Sequence, residues 1–159
     1  MARKSTGPVV PKSLIHFLRQ ILFLVPLFWF VELIQNCFYR LVTGRWGWTY
    51  PMNGDLPYYL ASLVLWFIAV STLALLYHFV FIPKKLVLWQ KMLIIGVLGS
   101  FSEWFLGYIA ANLFGYPLQV WTQSPLVYIH YSAFLFWCSN QIIYEYVSEL
   151  LFKDTLSRK

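Results

Sequence analysis

Acidic residues are scarce. Asp and Glu together number 6 in a chain of 159 residues, and all charged residues make up 11%. Soluble domains average about 25% charged residues, so the deficit excludes an ordinary water-facing surface. Cysteine occurs twice, at Cys37 and Cys138, within apolar runs and outside any CxxC or Cys/His cluster. Redox and zinc chemistry therefore have no ligand set, and both thiols are expected as small buried hydrophobes. No Asp-rich segment accompanies the 3 His, so neither a metal nor a cofactor is expected. A phosphate-binding glycine loop with its Lys, HExxH and GxSxG are all missing. ATP-driven work, zinc proteolysis and serine hydrolysis thus find no motif here.

What the chain does have is apolar length. Hydrophobic residues make up 60%, and four apolar runs approach the roughly 20 residues that cross a bilayer. The runs are continuous and do not alternate, so helices are expected and a barrel is not. They fall at about 21–39, 58–82, 92–114 and 126–150. The expected fold is an all-α integral membrane protein, one domain (21–152) of four transmembrane helices with a tail at 153–159. Residues 1–20 hold Arg3, Lys4, Lys12 and Arg19, while Leu14, Phe17 and Leu18 share a side. That pattern fits a short amphipathic helix on the membrane surface. A basic head before an apolar run imitates a secretion signal, but Glu32 interrupts the run and no small-residue cleavage site follows. An uncleaved first span, kinked at Pro26, is expected.

Basic residues set the expected orientation. Ten of the 12 Lys and Arg lie in the amino end, the 83–91 loop and the tail, against only Arg40 and Arg45 on the other side. Both chain ends are then cytoplasmic, in a multi-pass cell (inner or plasma) membrane protein. The net charge of +6 belongs to topology, since the basic residues form no face, and no nucleic-acid partner is expected. The expected partners are membrane lipid and either further copies of the chain or a larger membrane complex.

Two glutamates stand within the spans. Glu103 lies in Gly99–Gly115 and Glu32 in the segment from Phe30 to Gly44, 71 residues earlier. At that offset Phe30 matches Phe101, Gly44 matches Gly115 and Trp66 matches Trp137, four identities with the glutamates over 38 positions. Tyr50 and Trp121 are both aromatic, and Tyr59 answers His130. The match is compatible with two helical hairpins related as parallel repeats, and also with chance in so biased a composition. Each Glu sits 11 residues into its expected span, about 17 Å at 1.5 Å per residue, near the middle of a ~30 Å core.

A carboxyl at that depth is costly and normally faces protein or water. Gly99, Gly107 and Ala111 share the stripe of Glu103, which lets a neighbouring helix approach. The expected arrangement is a level pair of hydrogen-bonded acids, Glu32 and Glu103, handling a proton or a cationic group. The alternative is a packing role, with each bonded to Asn36, Ser100 or Asn140. Asn36, His130, Trp137 and Asn140 are the candidate substrate-binding residues. Asn36 shares the side of Glu32, His130 and Trp137 share a side of the fourth span, and Asn140 is mid-span. His130 is equally an interfacial anchor. The 14 Phe, 11 Tyr and 8 Trp exceed what interface belts need and suit a flat, apolar or cationic ligand.

Two resemblances follow from particular residues. Over residues 99–137, the layout of Glu103, Gly107, Gly115 and Trp121 resembles small bacterial membrane proteins labelled as transporter permeases. Thr43–Pro51 and Ile142–Tyr146 (Ile-Ile-Tyr-Glu-Tyr) are similar to segments of the small membrane-embedded carotenoid cyclases. Where that family has Pro-Leu-Glu-Glu, this chain has Pro117-Leu118-Gln119-Val120. The first resemblance implies a transporter-like protein working as an oligomer. The second implies an intramembrane enzyme on a lipid or isoprenoid, in which a Glu donates a proton. An accessory subunit that only docks partners is the third expectation.

Overall fold

The computed structural model describes residues 12–156, with backbone alone at 12–14, 16 and 152–156. Four helices dominate: α1 (Lys12–Thr43), α2 (Ser62–Leu76), α3 (Leu88–Phe114) and α4 (Tyr131–Leu156). Among the described residues, three stretches are long and apolar enough to cross a membrane, Phe17–Thr43, Ser62–Phe81 and Leu88–Phe114. The second comprises α2 and its π-helical continuation Tyr77–Phe81. Helix α4 has the length, but Asn140, Gln141, Glu145 and Glu149 make it more polar than the expected fourth span. Arg3, Lys4, Arg158, Lys159 and the side chains of Lys12, Leu14 and Lys153 lie outside the described residues. With them lies most of the expected amphipathic segment.

Helix boundaries depart from the hydropathy limits for local reasons. Helix α1 continues through Pro26 and past residue 39. It stops at Gly44 (φ +77°), whose N–H donates to the Arg40 carbonyl at 2.8 Å. Gly115 (φ +73°) ends α3 in the same left-handed conformation, which glycine adopts without a Cβ penalty. Helix α3 begins at Leu88 rather than Met92, so Lys91 sits inside it and is buried. That corrects its assignment as a loop charge. Helix α4 begins only at Tyr131, after a loop in which Val127 has φ +61°.

The core follows helical spacing. Ile21, Leu24, Val25 and Phe28 of α1 meet Val70, Leu73, Ala74, Tyr77 and Phe81, with Ile95 and Tyr144 completing the cluster. Each set recurs at three- and four-residue intervals, one face of a helix. Helices α3 and α4 pack closely because α3 presents glycine: a Cβ on Gly99 would lie 2.2 Å from the Trp137 ring, and one on Gly96 2.6 Å from Phe134. Small residues permit that approach, as the sequence predicted for this stripe. By contrast, direct contact between α2 and α3 is at most slight among the described residues, although Ile95 of α3 joins the core cluster.

The two long loops are joined. Strand β1 (Trp48–Thr49) pairs antiparallel with β2 (Val120–Trp121), Trp48 opposite Trp121 and Thr49 opposite Val120. A hydropathy reading has no means of finding strands of two residues. They fasten the loops over one end of the helices, where Trp48, Tyr50, Trp121 and Ala133 form a second buried cluster.

Candidate functional site

The site begins where α1 and α3 place their glutamates. Each lies 11 residues before the end of its helix, Thr43 for α1 and Phe114 for α3. Counted from those ends, the two glutamates are level along their helices. That distance is about 17 Å at 1.5 Å per residue.

Three donors surround each carboxyl. For Glu32, Trp48 Nε1 (3.1 Å) and the Tyr50 hydroxyl donate to Oε1, and Trp66 Nε1 (2.5 Å) donates to Oε2. For Glu103, Gln119 Nε2 (3.0 Å) and Trp121 Nε1 (2.7 Å) donate to Oε1, and Trp137 Nε1 (3.0 Å) donates to Oε2. In both cases the donors stand 16, 18 and 34 residues after the glutamate. The first two come from a loop and the third from the following helix. Indole nitrogen donates and never accepts, so four of the six partners are fixed in direction. Burial and the adjacent Glu32 push the Tyr50 phenol well above its ordinary range, keeping its proton in place.

These partners replace the ones expected of a packing role. Asn36 holds the loop instead of the carboxyl. Its Oδ1 accepts from the Gly47 and Trp48 amides (2.8 and 3.4 Å), and its Nδ2 donates to the Trp48 and Pro57 carbonyls (2.8 and 3.2 Å). Fully engaged and outside the cavity lining, Asn36 is a positioning residue that presents Trp48 and Tyr50 to Glu32. Ser100 Oγ is buried without a partner. Asn140 Oδ1 accepts from Gln35 Nε2 at 2.8 Å, tying α4 to α1.

A cavity of about 400 Å³ unites the two carboxyls, with Gln35, Trp66, Trp137 and Asn140 also in its wall. Ligand sites occupy roughly 300–1,000 Å³ and are mostly apolar with a few placed polar groups. The indoles of Trp66 and Trp137 touch, ring centroids 5.8 Å apart, and those of Trp48 and Trp121 are 4.8 Å apart. No Lys, Arg or His lines this space among the described residues. His130 is elsewhere, stacked on Trp121 at 5.7 Å with Nδ1 2.8 Å from Ser132 Oγ. Burial lowers its imidazole below the usual value.

A second polar group lies at the other end of the bundle. Lys91 Nζ meets Glu145 Oε1 at 2.5 Å and lies 5.1 Å from the centre of the Tyr77 ring. Gln141 Nε2 donates to Glu145 Oε2 (3.3 Å), and Gln20 Nε2 donates to Tyr144 and Ser148 (2.9 and 3.0 Å). Of the cysteines, Cys138 is buried as expected, whereas Cys37 is exposed on the outer side of α1. No group of three or more metal-ligating side chains occurs among the described residues. No family model, curated protein or solved structure matches the chain, so function is read from the site alone.

Proposed function

We propose that the chain is a small multi-pass membrane protein, transporter- or permease-like, whose glutamate pair takes up a proton or a cationic group. One observation carries this reading: two carboxyls, each held by three donors, line one cavity with no basic side chain among its described residues. Donors satisfy oxygen lone pairs but bring no unit positive charge. Two unpaired buried anions are costly, so protons or a cationic ligand must supply the balance. In an acid-initiated enzyme a glutamic acid must present its proton to the substrate. The surrounding donors suit an acceptor better, which places that reading second.

The same reading takes Phe17–Thr43, Ser62–Phe81, Leu88–Phe114 and α4 as spans in a cell membrane, with both chain ends cytoplasmic. The shared donor spacing, the matched spans and the glycine stops at 44 and 115 support two parallel helical hairpins of common design. The chamber lies within one chain, so the path does not require an oligomer.

Purified full-length protein in liposomes tests the proposal. Protein-dependent movement of protons or of an organic cation is expected, with loss of that flux in Glu32→Gln and Glu103→Gln variants that still elute as folded protein. Absence of flux across protons and organic cations alike sinks it.

A further inference from the structure

We infer that the chamber binds lipophilic monocations, a quaternary centre on an apolar body, which enter sideways between α2 and α3. The inference rests on the reading above and narrows it to a ligand class and a route.

The seat is defined by lone pairs. An ionised carboxylate offers about four acceptor positions, and three are filled at each glutamate. On both residues the less occupied oxygen is Oε2, with a single donor each, Trp66 for Glu32 and Trp137 for Glu103. Those two indoles are in contact, so the two under-occupied oxygens flank one aromatic pair. A monocation there balances one ionised carboxylate while the other keeps its proton, and at the Trp66 and Trp137 rings it meets the π-faces that attract cations. A small hydrated ion finds no fitting cage. Polar neighbours are few, and Gln35 and Asn140 are engaged with each other.

The walls select the rest of the ligand. Leu65, Ile68 and Leu76 of α2 face Leu98 and Leu106 of α3 across the cavity. Ile68, Leu98 and Leu106 are exposed although they line it. A slot bounded by branched aliphatics, between two helices apolar enough for a bilayer, admits an apolar body from the lipid side. An inorganic cation gains nothing from those walls and loses its hydration.

The experiment uses the full chain in nanodiscs with three probes of similar shape: tetraphenylphosphonium, the anion tetraphenylborate and neutral triphenylphosphine oxide. Equilibrium dialysis and tryptophan quenching report binding. The phosphonium should bind saturably and about tenfold or more tighter than either control, the worth of one desolvated cation–π contact. Glu103→Gln should weaken it by a similar factor. Leu106→Trp, which takes up apolar cavity space without replacing either carboxyl, should weaken the phosphonium too and guards against misfolding of the Gln variant. Equal binding of the neutral probe, or undiminished binding in both variants, overturns the inference. Proton flux in liposomes with no phosphonium binding also overturns it while leaving the broader proposal standing.

Discussion

Each carboxyl depends on individual indole donors. A hydrogen bond to a charged group contributes about 1.5–3 kcal/mol, and a buried acceptor left unpaired costs as much again. Trp137→Phe keeps a ring in the place where Gly99 admits it but removes the proton reaching Glu103 Oε2. We expect it to lower unfolding free energy by about 1.5–3 kcal/mol, read from denaturant unfolding followed by circular dichroism. In a Glu103→Gln background the same change should cost less, because the interaction is already broken. Full additivity would show that the bond carries no energy. The glutamates were legible because carboxyls are rare in apolar runs. Their partners were harder to see. Trp66 and Trp137 stood out only as matched residues, and Trp48, Tyr50 and Gln119 lie in loops whose folding over the helix ends has no periodic signature. Asn36 looked like a ligand-binding residue for a sound reason, one turn from Glu32, yet its amide is spent on the loop backbone.

Among the elements, the interplay of α3 and α4 was half legible. The glycine stripe of α3 foretold a close neighbour, and Gly96 and Gly99 do receive Phe134 and Trp137. Lys91 was misplaced because a charge at the edge of an apolar run reads as loop, whereas α3 starts a turn earlier and buries it against Glu145. Breaking a buried ion pair at one partner costs about 3–5 kcal/mol, while replacing both by apolar residues is often neutral. Lys91→Met alone should therefore lower the melting temperature strongly, and Lys91→Met with Glu145→Leu should recover most of the loss. Failure of the double variant to recover would mean that the charges serve something other than the α3–α4 joint.

At the scale of the molecule, two hairpin-like halves meet through the α1–α4 contact, a four-residue strand pair and a chamber that neither half encloses alone. Hydropathy revealed the helices, but the chamber takes its wall from α1, α4 and the loops as well as from α2 and α3, which no helix shows on its own. The central claim is that Glu32 and Glu103, out of 6 acidic residues, share one apolar space reached between those helices. Dicyclohexylcarbodiimide, a lipid-soluble reagent for protonated carboxyls, tests it when labelled sites are mapped by mass spectrometry of the full-length protein in bilayers. The account predicts modification of Glu32 and Glu103 at comparable rates, slowed for both by Leu106→Trp. Labelling confined to Asp55, Glu145, Glu149 or Asp154, or of one chamber glutamate without the other, would contradict it.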